Sequence, residues 1–128
     1  MNENEISKII VDSSIHLHRE LGPGLLESVY ETTLAYELTK RGLRCVRQSP
    51  IPIRYDDLDF EEGFKADIIV NDLVILELKS VESIASVHRK QIQTYLRLSG
   101  KKLGLLLNFG APLMRDGIVR AVNGLEES

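Results

Sequence analysis

The feature that most constrains the fold is residues 64–79, FKADIIVNDLVILELK. Two apolar runs, 68–70 and 73–76, consist of β-branched and aliphatic residues, which are typical of β-strands. Asn71 and Asp72 lie between the runs, and both residue types favour turns. The stretch therefore predicts a β-hairpin.

Charged side chains border this predicted hairpin. Asp67 precedes the first apolar run, and Glu77 and Lys79 follow the second, on one face of their strand because side chains alternate. Carboxylates bind hard divalent cations through oxygen, and a nearby lysine can orient or deprotonate a water or stabilise a phosphate. The pattern indicates phosphodiester hydrolysis, although a solvated polar strand face gives the same letters.

Whether the two acids can meet depends on the length of the turn. A two-residue loop would pair Asp67 with Leu76 and would place Asp67 on the face opposite to Glu77. A shared site requires a three-residue connection over 71–73, or a bulge. We therefore predict one of these two arrangements.

Size and composition are those of an ordinary α/β domain. With 128 residues, 43% hydrophobic and 27% charged, the chain suits a single domain. No apolar run is long enough to span a membrane, and the first residues do not resemble a signal peptide. The single cysteine, Cys45, excludes an internal disulfide and a cysteine-based zinc site, and we expect a reducing cytoplasm.

The net charge of −3 is unusual for a dedicated nucleic-acid binder, which normally has a basic surplus. A metal-dependent nuclease can still be acidic, because the bound ion neutralises its carboxylates and local basic patches matter more than the sum.

Periodicity predicts the remaining elements. Helical spacing of apolar residues predicts three helices, over about 2–21, 25–41 and 84–98. Extended patterns predict further strands over 44–55, 102–109 and 118–122. Pro50 and Pro52 favour an edge position, or a break, for the first of these strands. The acidic segment 56–63 is expected to form a solvated hairpin loop.

Polar residues on two of the helices have spacings that suit a site. Glu27 lies in the first turn of the second helix with Tyr30 nearly one turn later, although an acid at a helix N-terminus also suits the helix dipole. His88, Gln91 and Tyr95 share one face of the last helix. Such residues can clamp a phosphate or the attacking water, or they can form a plain polar helix surface.

The densest basic run begins on the same helix and continues beyond its end. It suits the phosphates of a nucleic-acid backbone, and a solvated helix face is the alternative. The run consists of Arg89, Lys90, Arg97, Lys101 and Lys102. On the first helix, His16 and His18 are two residues apart, so they cannot both face one site.

The order of elements, with Asp67 followed by Glu-x-Lys at the centre, resembles the PD-(D/E)XK nuclease superfamily. Residues 24–30, GLLESVY, resemble the motif of its GxxExxY branch. Residues 91–95, QIQTY, are similar to the Gln-x-x-x-Tyr motif of RecB-type nucleases and lambda exonuclease. The resemblance extends from LHRELGPG in the first helix to LGLLLNFG near the end. Ala66 replaces the proline of the superfamily's name.

The resemblance implies a restriction-endonuclease-like α/β core. A central mixed β-sheet is expected to be flanked by α-helices, with a nuclease core over about 25–122 and an extra N-terminal helix over about 3–21. The whole chain, 1–128, would form one nuclease-like domain.

The resemblance also implies roles for individual residues. The metal-binding acids would be Asp67, Glu77 and Glu27, and Lys79 would be the catalytic lysine. Gln91 and Tyr95 would complete the catalytic set. Further substrate contacts are assigned to Tyr30, His88, Arg89, Lys90 and Arg97. RecB-type enzymes often place a histidine before the first acid, for which His16 and His18 are both candidates.

The resulting hypothesis is a nuclease dependent on Mg²⁺ (or Mn²⁺) that hydrolyses nucleic acid, with DNA as the expected substrate. The alternative is a non-catalytic module that binds nucleic acid or protein and retains the nuclease fold, since one fold can host many functions. A homo-oligomer, or a complex with a helicase or repair partner, is a third arrangement left open.

Overall fold

The computed structural model describes residues 1–126 as a mixed α/β structure. In chain order the elements are α1 (Glu3–Leu21), α2 (Glu27–Lys40), β1 (Cys45–Tyr55), β2 (Leu58–Val70), β3 (Val74–Lys79), α3 (Ser86–Ser99), β4 (Leu103–Asn108), a short 3-10 helix (Met114–Gly117) and β5 (Ile118–Val122). The five strands form one sheet in the order β1-β2-β3-β4-β5. The β3–β4 pair is parallel and the others are antiparallel. The predicted α/β class with a mixed sheet is confirmed.

Helices cover both faces of the sheet. On β3, alternation sends Leu76 and Leu78 towards α1 and α2, while Ile75 packs with Ile92 and Leu96 of α3. Glu77 follows Ile75 by two residues and therefore lies on the α3 face. None of the helices in the part of the chain described here is both long and apolar enough to cross a membrane.

The strand β4 is buried along its whole length, as its continuous apolar run predicted. It pairs with β3 on one side and with β5 on the other. Gly104 lets α3 approach closely, because a Cβ there would lie 2.9 Å from Cδ1 of Ile92. This close packing fixes the position of α3 against the sheet.

The β1–β2 hairpin is longer than the sequence predicted. The expected loop over 56–63 is wrong for most of its length, since pairing with β1 already starts at Leu58 and only Asp56 and Asp57 form the turn. Backbone pairing offsets the poor strand propensity of this acidic segment, whose side chains remain in water. As its prolines indicated, β1 is an edge strand.

The turn between β2 and β3 confirms the prediction about register. Val70 pairs with Val74, so the connection has three residues, 71–73. Asn71 and Asp72 both have positive φ, 51° and 57°, which these residue types tolerate better than most. The odd number of connecting residues brings the acids of the two strands to one face.

Candidate active site

The two central acids meet where β2 and β3 begin to separate. Pairing between these strands ends at Ile68 and Leu76, and one further step of the same register places Asp67 opposite Glu77. The backbone N–H of Leu78 donates to Asp67 Oδ2 at 2.8 Å. A side-chain carboxylate thus binds the main chain of β3 at the point where the ladder stops.

Glu77 is held in an environment that disfavours its charge. The side chain is buried, and Oε1 has no hydrogen-bond partner. Burial raises the pKa of Glu77 to about 9, and the neighbouring charge and hydrogen bond of Asp67 act in the same direction. The positive charge of Lys79 and a hydrogen bond to the Asp67 backbone lower it in part. Glu77 therefore retains a proton at neutral pH in the metal-free protein.

Asp67 differs from Glu77 in its hydrogen bonds. Oδ2 accepts from the Leu78 backbone at 2.8 Å, and Oδ1 accepts from Gln48 Nε2 at 3.4 Å. Both Asp67 oxygens therefore have a donor, whereas Glu77 Oε1 has none. The Asp67–Glu77 pair is therefore asymmetric in its hydrogen bonds, and the acceptor without a donor is Oε1 of Glu77.

The helix α3 brings a tyrosine to this pair. Burial and the charges of Glu77 and Asp67 raise the pKa of Tyr95, while a hydrogen bond from Gln91 lowers it. The Tyr95 ring stacks on Phe64 of β2, with centroids 3.9 Å apart and planes at 5°. Asp67, Glu77, Lys79, Gln91 and Tyr95, five of the six predicted catalytic residues, are thus linked by their electrostatic effects and hydrogen bonds.

The sixth residue, Glu27, is placed differently. It is the first residue of α2 and is exposed. The Ser80 hydroxyl donates to the Leu25 carbonyl at 2.7 Å, so the start of α2 lies beside the end of β3. Within residues 1–126, however, no three His, Cys, Asp or Glu side chains are grouped closely enough to bind a metal ion. The role of Glu27 as a third metal ligand stays a prediction.

Tyr30 has structural contacts, and its assignment to substrate binding stays a prediction that these contacts do not support. The side chain is fully buried and stacks on Phe109, with centroids 4.5 Å apart. Its hydroxyl donates to the Gly22 carbonyl and accepts the Leu25 N–H. Tyr30 therefore anchors the turn between α1 and α2. Tyr30 lies nearly one turn after Glu27, but its side chain belongs to the core-facing stripe of α2.

The other residues assigned to substrate contacts lie at different places on α3. His88 is half-buried, and its Nδ1 accepts the Ala85 N–H at 3.2 Å, so it caps the helix. Arg89 lines a cavity of about 320 Å³. Lys90 and Arg97 are exposed, on the side of the helix turned away from the sheet. Substrate contacts by these four residues stay predictions.

Neither histidine of α1 joins the acidic pair. His16 is exposed, whereas His18 is buried and donates from Nε2 to the Ala111 carbonyl at 2.7 Å. The hydrogen bond of His18 tethers the end of α1 to the loop after β4, which is a structural role.

Three residues in a network that reaches Asp67 are not indicated by the sequence. The amide of Gln48 donates to Glu31 Oε1 at 2.6 Å as well as to Asp67. The Arg47 guanidinium forms an ion pair of 2.9 Å with Glu31. Only the pairing of β1 with β2 shows that Gln48 lies opposite Asp67, and this register could not be derived from the sequence alone.

A mixed sheet with an Asp and a Glu-x-Lys at the point where two strands diverge defines a nuclease-like α/β protein. A family model of the PD-(D/E)XK nuclease superfamily matches residues 4–121, and the chain belongs to this superfamily. Nucleases of this superfamily generally use divalent metal ions and act on nucleic acid. The narrower GxxExxY assignment rests on the motif at 24–30 alone. No curated protein and no solved structure matches the chain.

Proposed function

We propose that this chain is a divalent-metal-dependent nuclease that hydrolyses phosphodiester bonds of DNA, with Mg²⁺ (or Mn²⁺) as the ion. The observation on which the proposal depends is the buried, unpartnered Oε1 of Glu77 beside the Asp67 carboxylate. Membership of the nuclease superfamily supports the substrate class.

The residues present fit a hard divalent cation. Two adjacent carboxylates offer oxygen ligands of the type that Mg²⁺ prefers, and one of these oxygens has no other partner. Burying an acid such as Glu77 beside a second carboxylate is costly unless a proton or a cation compensates the charge. Glu77 takes up a proton in the metal-free protein, and a cation can replace that proton.

Each residue around the pair has a role that its position supports. A divalent cation, when bound, lowers the pKa of a coordinated water and stabilises charge on the scissile phosphate. Asp67 and Glu77 would hold the cation. The role assigned to Lys79 is to orient the attacking water or a phosphate oxygen, and the effect of its charge on Glu77 supports this role. Tyr95 and Gln91 on α3 position the substrate.

A cleavage panel tests this proposal. Single-stranded, double-stranded and structured DNA and RNA are incubated with the protein in Mg²⁺ or Mn²⁺, and products are resolved on gels. We expect metal-dependent cleavage of DNA that is lost in Glu77→Ala and Lys79→Ala. Glu61→Ala, an exposed acid of the hairpin, is the matched control and should cleave normally. No cleavage by the wild type, or undiminished cleavage by Glu77→Ala, contradicts the proposal.

The second candidate is a non-catalytic module that binds nucleic acid or protein. The net charge of −3 and the absence of a three-ligand metal group within residues 1–126 favour it. Binding that needs no metal and that persists in Glu77→Ala would support this candidate. Fluorescence anisotropy with labelled DNA in EDTA measures it directly.

A further inference from the structure

The edge strand β1 contains a backbone outlier opposite the acidic pair. Gln48 has φ = 48°, although it lies within a strand and is not glycine. Its flanking pairs, Arg47 with Ile68 and Ser49 with Ala66, place it across from Asp67. Side chains other than glycine reach this region only at an energetic cost, which the surrounding contacts must offset.

Hydrogen bonds of the Gln48 side-chain amide offset the energetic cost of its positive φ. Its Nε2 donates to Glu31 Oε1 at 2.6 Å and to Asp67 Oδ1 at 3.4 Å. A primary amide has two N–H donors, and here each is directed to a different carboxylate. Gln48 therefore connects an acid of α2 to an acid of the candidate active site.

Glu31 provides a firm anchor for this amide. Its side chain is buried, and the Arg47 Nε donates to Glu31 Oε2 at 3.0 Å, while the terminal nitrogen of Arg47 forms an ion pair of 2.9 Å with the same oxygen. These charge-assisted contacts restrict the position of Oε2. The second oxygen of Glu31 is left to accept from Gln48.

We propose that Gln48 is a positioning residue for Asp67, which it holds in the orientation needed for metal binding through its link to Glu31 and Arg47. In its metal-binding aspect this inference rests on the proposed function. Glycine or asparagine would adopt the positive φ more readily, but glycine has no amide and asparagine is one methylene shorter. The presence of glutamine at a strained position is explained if the reach of its amide is required.

Gln48→Gly separates positioning from a merely structural role, because only positioning predicts a change in metal affinity. Glycine relieves the backbone strain but leaves Glu31 Oε1 without its donor, so the two effects on the melting temperature oppose each other. Loss of the amide should weaken Mn²⁺ binding, measured by calorimetric titration, by about 10-fold or more. A residue that only tied α2 to β1 would lower stability and leave metal affinity unchanged.

Asp56→Gly is the matched control. Asp56 also has a positive φ, 50°, and lies in the exposed turn of the β1–β2 hairpin. The same backbone relief there should leave Mn²⁺ affinity unchanged. Unchanged affinity in Gln48→Gly would overturn the inference.

A readout without metal keeps this inference distinct from the proposed function. In ¹⁵N-correlated NMR spectra of the metal-free protein, the Gln48 side-chain amide signals, assigned by their loss in Gln48→Gly, should shift in Asp67→Asn and in Glu31→Gln. They should not shift in Glu61→Gln. If the wild type binds no Mn²⁺ while these signals respond to Asp67→Asn, the proposed function fails and the positioning contact stands. If the Gln48 amide signals do not shift in Asp67→Asn, the inference itself is overturned.

Discussion

Acidic residues are concentrated in two regions of this molecule, and only one of them has the properties of a site. The point where β2 and β3 separate, called the fork here, has two acids, Asp67 and Glu77, and the tip of the β1–β2 hairpin has more. The hairpin acids are exposed, and their ion pairs with Arg54 and Lys65 are surface pairs of 3.4–3.6 Å. The hairpin acids are Asp56, Asp57, Asp59, Glu61 and Glu62. The two acids at the fork are forced together, and Glu77 is only 8% exposed. Desolvation and enforced proximity, rather than the number of carboxylates, make an acidic region reactive.

The largest expected effect follows from removing an acid at the fork. Glu77→Ala and Asp67→Asn should each reduce metal-dependent DNA cleavage by at least about 1,000-fold, because each removes a ligand of the ion that stabilises the transition state. Asp57→Asn in the hairpin should change the rate by less than about 2-fold, as expected for an exposed surface charge. Initial rates at saturating Mg²⁺ measure both. Equal losses in the two regions would contradict the distinction between them.

The next effect concerns stability and pH. The pKa of Glu77 is raised from 4.5 to about 9, so between these values the native state binds a proton that the unfolded state has lost. The free energy of unfolding of the metal-free protein should therefore fall as pH rises through this window. Between pH 5 and pH 8 the decrease from this group should be on the order of 3 kcal/mol. Urea denaturation in EDTA at several pH values measures it.

Two variants check the origin of this pH dependence. Glu77→Gln cannot ionise, so its stability should lose this slope and should exceed that of the wild type at pH 8. Glu61→Gln in the hairpin should retain the wild-type slope. A wild-type slope in Glu77→Gln would show that another group titrates.

The register of the central hairpin could be predicted from the sequence because it depends on parity alone. Asp67 and Glu77 can share a face only with an odd connection or a bulge, because side chains alternate along a strand. The common face of Gln91 and Tyr95 on α3 followed in the same way from helical spacing. Local periodicity is sufficient wherever a site is built within one helix or one hairpin.

The remaining part of the site depends on contacts between distant segments. The network of Glu31, Gln48 and Asp67 joins a helix and two strands, and it needs a positive φ at Gln48 that its residue type does not suggest. The burial of Tyr30 depends on its stacking on Phe109, which follows β4 and lies far from α2 in the sequence. The hairpin over 56–63 was underestimated because pairing with β1 outweighs the low strand propensity of its acids.

A comparison of two tyrosines should give a smaller effect. Tyr30→Phe removes a hydroxyl that binds the Gly22 carbonyl and the Leu25 N–H, so the free energy of unfolding should fall by about 1–2 kcal/mol. Tyr95→Phe retains the stacking on Phe64 and should cost less than about 0.5 kcal/mol, while turnover falls. Chemical denaturation and steady-state kinetics separate the two. If Tyr30→Phe lowered turnover without lowering stability, a substrate contact by Tyr30 would be supported.

The smallest effect is expected at Glu27, which shares its exposure with the hairpin acids and its position near the end of β3 with the fork acids. It is exposed like the hairpin acids, yet it begins the helix whose start contacts Ser80 at the end of β3. Glu27→Gln should change stability by no more than about 0.5 kcal/mol. Because Glu27 is not grouped with the fork acids, cleavage should fall by less than about 10-fold, in contrast to Glu77→Ala. A loss as large as that of Glu77→Ala, at unchanged stability, would show that Glu27 joins Asp67 and Glu77 once metal and substrate are bound. The metal and the substrate, rather than the fold alone, would then bring Glu27 close to Asp67 and Glu77.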